Sequence, residues 1–140
     1  MVGHRYSIEK AEAFKLEGII IENSLIAGVT LEPNDVRMIK QLNLRLCEGK
    51  KYALLVDPKV ESLITDEARA LLASKEMAEL NIAKAILIYN QKQKIIGNIY
   101  LSINKPHVKT KLFTDREKAL KWLRMQVEEF TAKQMFKERK

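Results

Sequence analysis

The sequence predicts an α/β protein of one domain, in which helices pack on a mixed, largely parallel sheet. Three observations carry this. Two short runs, Tyr52–Val56 and Ala83–Tyr89, are apolar on both faces, as strands of a parallel sheet covered from both sides must be. Segments with apolar residues at helical spacing separate and follow them. The resulting order is a β-hairpin and then α-β-α-β-α-β-α. Right-handed crossovers between successive parallel strands put helices on both faces. At 140 residues the chain has the length of a single domain with a substantial core.

The hairpin joins Ala11–Leu16 to Ile19–Ile21 through Glu17-Gly18, where glycine permits a tight turn. Ser24–Val29 either prolongs the second strand or forms a short third one. Thr30 is the expected N-cap of the first helix, with Pro33 in its first turn, where a missing N–H costs nothing. Val36, Ile39, Leu42 and Leu46 mark its inward stripe, and Gly49 its end. After the strand Tyr52–Val56, a second helix is expected from Asp66 to Leu80, burying Ala68, Leu71, Leu72 and Ala78, with Lys75 lying along the surface.

The strand Ala83–Tyr89 ends at Asn90. A third helix follows over Gln91–Asn104, with Ile95, Ile96, Ile99 and Ile103 facing the sheet. Gly97 costs that helix about 1 kcal/mol relative to alanine, which points to close packing or an irregular start. Pro106 ends it. Val108–Phe113 is the last strand. Thr114 and Glu117 have the spacing of a capping box for the last helix, which buries Ala119, Leu120, Leu123, Val127 and Phe130. Residues 132–140 read as a frayed helical tail. Trp122, Met125 and Phe136 fall off the inward stripe and suit a second chain, so a homodimer is an open alternative.

Composition narrows the function classes. Apolar residues are 46% and charged residues 31%, ordinary for a globular protein, and glycine and proline are scarce. No apolar run approaches the length of a membrane span, and MVGHRYSIEK has no apolar signal core, so the expected location is the cytoplasm. The net charge of +7 is uneven: residues 1–82 carry 11 basic and 13 acidic side chains, residues 83–140 carry 14 and 5. A solvated lysine-rich face explains this. A polyanion surface is the alternative, but no Arg-Gly or RNP-like motif supports nucleic-acid binding.

The residues that suggest a site lie in YALLVDPKVESLITD, 52–66. In open α/β sheets ligands and partners gather beyond the carboxyl ends of the strands. Asp57 ends a strand there, and Thr65 opens a helix as its N-cap. Asp66 and Glu67 favour the helix dipole. Catalysis would need a nucleophile, a base and an orienting group in reach. The chain has no G-x-S-x-G motif and no phosphate loop, and its one cysteine and two histidines are too scattered for a metal-ligand pattern. Cys47 reads as a buried apolar residue, and His4 and His107 are remote from it in sequence.

The order and the motifs resemble the STAS domain, the fold of the sporulation anti-sigma factor antagonists. The residues that carry the resemblance are LCEGKKYALLVD at 46–57, TDEARALLAS at 65–74, IIGN at 95–98 and NKPHVKTKLFTDREKALKWL at 104–123. They look closest to small bacterial STAS-like domains of unassigned activity. The resemblance implies a STAS-like sandwich and a non-enzymatic, regulatory protein partner without a cofactor. Antagonist STAS domains carry a phosphorylated serine at the helix start. By spacing, that position falls here on Asp66 or Glu67, so the usual switch is missing. The expected partner surface is Asp57, Ser62, Thr65, Asp66 and Glu67. The alternative is a small-molecule or lipid carrier, with a cavity beside Ile96, Ile99 and Tyr100.

Overall fold

The computed structural model describes residues 5–138. A six-stranded sheet runs in the order β1-β2-β3-β5-β7-β8. The strands are β1 (Arg5–Ser7), β2 (Ala11–Glu17), β3 (Ile20–Leu25), β5 (Tyr52–Asp57), β7 (Asn81–Leu87) and β8 (Lys109–Phe113). The first two pairings are antiparallel and the last three parallel. Helices α1 (Pro33–Cys47), α2 (Asp66–Leu72) and α3 (Gln91–Ile99) link the parallel strands, and α4 (Arg116–Glu138) follows the last one. Two short strands, β4 (Thr30–Leu31) and β6 (Leu63–Ile64), pair with each other just before α1 and α2. The expected mixed α/β sandwich is the observed one, but not by crossovers to both faces: these all step the same way along the sheet and put α1, α2 and α3 on one face, while α4 covers the other. Glu138 is still helical, while His4 and residues 139–140 lie outside the described residues.

Strand alternation sorts the side chains into two cores. Ile20, Ala53, Leu55, Ala83, Ala85 and Leu87 meet Ala119, Leu120 and Leu123 of α4 in a dry apolar layer. Trp122 joins this layer and lies against Phe113, ring centroids 5.7 Å apart, so it serves its own chain's core. Met125 and Phe136 are exposed. On the opposite face Cys47 is buried beside Ala13, Ile21, Leu46, Tyr52 and Leu54.

Several local expectations differ from what is seen. The added edge strand β1 pairs with β2, and Ser24-Leu25 completes β3. Thr30 belongs to β4 and does not cap α1; the amide of Glu32 donates instead to Asp35 Oδ2 at 2.9 Å. Thr114 does not cap α4. Asp115 does, accepting from the amides of Glu117 at 2.8 Å and Lys118 at 3.2 Å. The second helix stops at Leu72, well short of Leu80, and a 3-10 turn follows over Glu76–Ala78. The carbonyl of Ala73, which a longer helix would use, accepts the amide of His107 at 3.1 Å and faces its Nδ1 at 2.9 Å.

The third helix is turned relative to its isoleucine stripe. Ile95 and Ile103 are exposed, while Gln93, Gly97 and Tyr100 are buried, and Tyr100–Asn104 forms a π-helical turn. Gly97 explains the orientation. A Cβ there would stand 2.8 Å from Leu112 Cδ1, so only glycine lets the helix lie this close to β8 without displacing that side chain.

The face beneath α1 and α2 also contains a polar layer that hydropathy hides. Lys40 Nζ donates to the Tyr52 hydroxyl at 2.8 Å and to the Glu79 carbonyl at 2.5 Å. The side-chain amides of Asn23 and Asn43 bond reciprocally at 2.7 and 3.0 Å. Lys84, in the centre of β7, donates to the Tyr100 hydroxyl at 2.6 Å, which in turn donates to the Leu72 carbonyl at 3.3 Å. Every partner of these two ammonium groups is a neutral oxygen. Burial pushes Lys84 down to about 7, helped by the charge of Lys40. Burial pushes Lys40 down to about 8, opposed by Glu79 and Cys47.

A pH dependence of stability follows. In the unfolded chain both lysines hold their protons to about pH 10.5. In the folded chain they release them above about 7 and 8. Between these limits the unfolded state binds more protons, so stability rises with pH, by up to about 1.4 kcal/mol per pH unit for each lysine. Below pH 7 the cost is fully present. Urea unfolding from pH 7 to 9.5 is expected to show this rise in the native chain and to lose it in a Lys40→Met, Lys84→Met variant. An equal slope in both chains would contradict the assignment.

Candidate functional site

Parallel pairing brings the carboxyl ends of β3, β5, β7 and β8 to one edge. Two constructions meet there, one on each face of the sheet. On the α4 face, Asp57 is buried and locked. Its Oδ1 accepts from the Tyr89 hydroxyl at 2.8 Å and the Lys59 amide at 3.1 Å, and its Oδ2 accepts from Lys59 Nζ at 3.0 Å. Burial pushes this carboxyl up, but Tyr89 and Lys59 together outweigh burial and hold it below the usual range. Burial, and then Asp57, push the Tyr89 hydroxyl up to about 12. Beside them the buried carboxylate of Glu22, on β3, pairs with Arg116 at the start of α4.

The loop after Asp57 is clamped to the start of α3. Gln93 Nε2 donates to the carbonyls of Lys59 at 2.5 Å and Val60 at 3.3 Å. The side-chain amide of Asn90 donates to Val60 O at 2.8 Å, while its oxygen caps α3 through the Gln93 amide at 2.9 Å. Ser62 is buried, its hydroxyl donating to the Ile26 carbonyl at 3.1 Å. These bonds hold a rigid loop at the edge.

On the opposite face, an apolar groove of about 110 Å³ opens between α2 and α3. Its walls include Leu25, Ile64, Leu72, Ile88, Ile96 and Tyr100. Exposed apolar side chains stand on the segments beyond the same strand ends and on α3: Ile26, Val60, Leu63, Tyr89 and Ile95. The α2 side carries exposed Glu61, Asp66 and Glu67. Arg69 is turned inward, pairing with Asp66 at 2.8 Å and with Asn104 Oδ1 at 3.2 Å.

The family model described as "Domain of unknown function (DUF7793)" matches residues 14–126. The chain belongs to the DUF7793 family. Its fold is similar to the crystal structure, at 2.25 Å, of an uncharacterized protein from the DUF3478 family with a SpoIIAA-like fold, from Shewanella loihica PV-4. That match has a TM-score of 0.55 and 15% identity over 87% of this chain and 92% of the other. It shows the fold alone, the SpoIIAA-like arrangement that the STAS resemblance implied. A search of curated proteins gave no match.

Within this DUF7793 chain, the five residues expected to form one partner surface separate. Asp57 and Ser62 are buried scaffold. Thr65 is used as the N-cap of α2, its hydroxyl accepting the Ala68 amide at 3.1 Å. Asp66 and Glu67 are exposed. Of the residues named for a ligand cavity, Ile96 and Tyr100 line the groove and Ile99 does not. The expectations missed Tyr89, Gln93, Glu22 and Arg116. Tyr89 and Gln93 flank Asn90 just beyond a strand end, and Glu22-Asn23-Ser24 is a polar run inside a strand, a signal that could have been used. Among the described residues no cluster of His, Cys, Asp and Glu could hold a metal ion, and no helix is long and apolar enough to cross a membrane.

Tyr89→Phe removes the hydroxyl that steadies Asp57. It is expected to cost about 1 kcal/mol in urea unfolding at pH 7 and to move the Asp57 carboxyl back toward its ordinary titration range, as read by NMR. The native stabilisation is present above the unfolded pKa and is lost as pH falls through the lower folded one, so the cost of Tyr89→Phe should shrink in acid.

Proposed function

We propose that this chain is a non-enzymatic docking module whose working surface is the carboxyl edge of the parallel sheet. One observation carries the reading: exposed Leu63 lines an open apolar groove at the carboxyl edge of the sheet, and exposed Ile26, Val60 and Tyr89 stand on the loops beyond the same strand ends. Monomer surfaces that group apolar side chains beside a concave groove commonly meet a partner there. The rim fixes the partner's chemistry. With Glu61, Asp66 and Glu67 on the α2 side, the fitting occupant is a protein segment with apolar anchors and basic flanks. Because carboxylates stand where STAS antagonists have a phosphorylated serine, this contact has no phosphorylation switch at Asp66 or Glu67.

A second reading is favoured by the groove itself. Its lining is almost wholly apolar and includes Ile96 and Tyr100, which suits a carrier of a small apolar molecule.

The docking reading is tested with an Asp66→Lys, Glu67→Lys variant, both sites being exposed. Partner binding should weaken about tenfold or more while the thermal unfolding midpoint stays nearly unchanged. Full retention of every partner by the reversed chain would show that this surface is the wrong one.

A further inference from the structure

We propose that a chamber beneath α1 and α2 binds a short aliphatic carboxylate, its anionic end held by Lys84 and Lys40 and its chain lying on the surrounding apolar walls. The chamber has a volume of about 60 Å³ and adjoins the apolar groove of the docking surface. Roughly 10–15 Å³ of such space admits one water, so there is room for a ligand of a few heavy atoms. The inference deepens the carrier reading and rests on it.

Charge is the first argument. Two lysines that line one space in a protein interior normally face a carboxylate, because an unpaired ammonium there is costly. Here neither does. Each ammonium carries three N–H groups. Lys84 spends one on Tyr100, and Lys40 spends two, on Tyr52 and on Glu79 O. Three donors are left with no acceptor supplied by the chain. The groups that face this pair are Tyr52, Tyr100, Cys47 and the exposed Glu79, and none of them forms an ion pair with either lysine.

An unpartnered amide is the second. Asn81 lines the chamber, and its Oδ1 is buried without a hydrogen-bond partner, alone in this among the buried side-chain atoms of the described residues. Such an atom marks a place where something beyond the chain completes the bonding. Turned over, the same amide offers two N–H donors to an anion.

The walls supply the third. Leu25, Leu31, Leu54, Val56, Leu72 and Met77 surround the lysines, so the ligand needs an apolar part as well as a charge. Leu25, Leu31, Val56 and Leu72 also line the open groove, which makes the groove the route of entry.

The probe is sodium pentanoate, compared with 1-pentanol and sodium chloride at equal concentration. Thermal unfolding and amide NMR are read on the native chain, on Lys84→Met and on Lys40→Met. Pentanoate should raise the midpoint of the native chain in a saturable way and shift the amides of Lys84 and its neighbours. Neither comparator should do so, and Lys84→Met should lose the effect. Pentanoate should also flatten the rise of stability between pH 7 and 9.5, because an anion keeps both lysines protonated. Equal stabilisation by pentanol would overturn the carboxylate assignment and leave the carrier reading standing. No effect from either would sink both. Stabilisation by chloride alone, or by pentanoate in both lysine variants, would also refute the inference. Replacing a buried lysine by methionine is compatible with folding, and the NMR of the native chain decides the matter if one variant fails.

Discussion

The structure depends on four strands, β3, β5, β7 and β8, pairing in parallel. Parallel neighbours cannot be joined by a tight turn, so each join is a crossover, and both faces of the sheet must be covered. Everything else follows from meeting that demand unevenly. A single long helix, α4, closes one face over small and branched side chains, with Ala53, Ala83, Ala85 and Ala119 allowing close approach. Three shorter helices share the other face. The seams between them leave the groove and the chamber, as two adjacent spaces with common walls. Parallel pairing also sends every strand's carboxyl end the same way. Asp57, Tyr89, Glu22 and Arg116 therefore meet although they lie far apart in sequence.

The elements whose chemistry is local were legible in the sequence. The two-sided apolar runs, the Gly18 turn and the stop at Gly49 follow from patterns that no distant contact overrides. Three of the misreadings share one cause, tertiary demand on polar residues. The isoleucines of α3 form a convincing helical stripe, yet the helix is turned so that Gln93 can bond the loop after Asp57 and Tyr100 can reach Lys84. The inward stripe of α1 includes Lys40 and Asn43 for a similar reason: both answer polar groups on the sheet. The end of α2 was misjudged because His107, more than 30 residues away, takes the Ala73 carbonyl.

The site was legible as a place and less so as a list of residues. Asp57 and Thr65 were found from strand-end and helix-start positions, but such positions attract structural roles as readily as functional ones. Asp57 orders the loop, and Thr65 caps a helix. Side chains free to meet a partner are those that the local bonding does not use, and exposure at loop tips is not visible in sequence. The buried lysines carried a signal in Lys84, a charge in the middle of an otherwise apolar strand. Such a residue costs too much to keep in a core without a reason, and the space beside it is the natural place to look for one.

The central claim is that the carboxyl edge of the sheet is the working surface. Site-specific photo-crosslinking tests it most directly, with a benzophenone side chain placed at Leu63 on that edge, or at Lys51 in the turn on the opposite edge. The account predicts partner adducts at position 63 and none at position 51. Adducts only at position 51, or the same adducts at both positions, would contradict it.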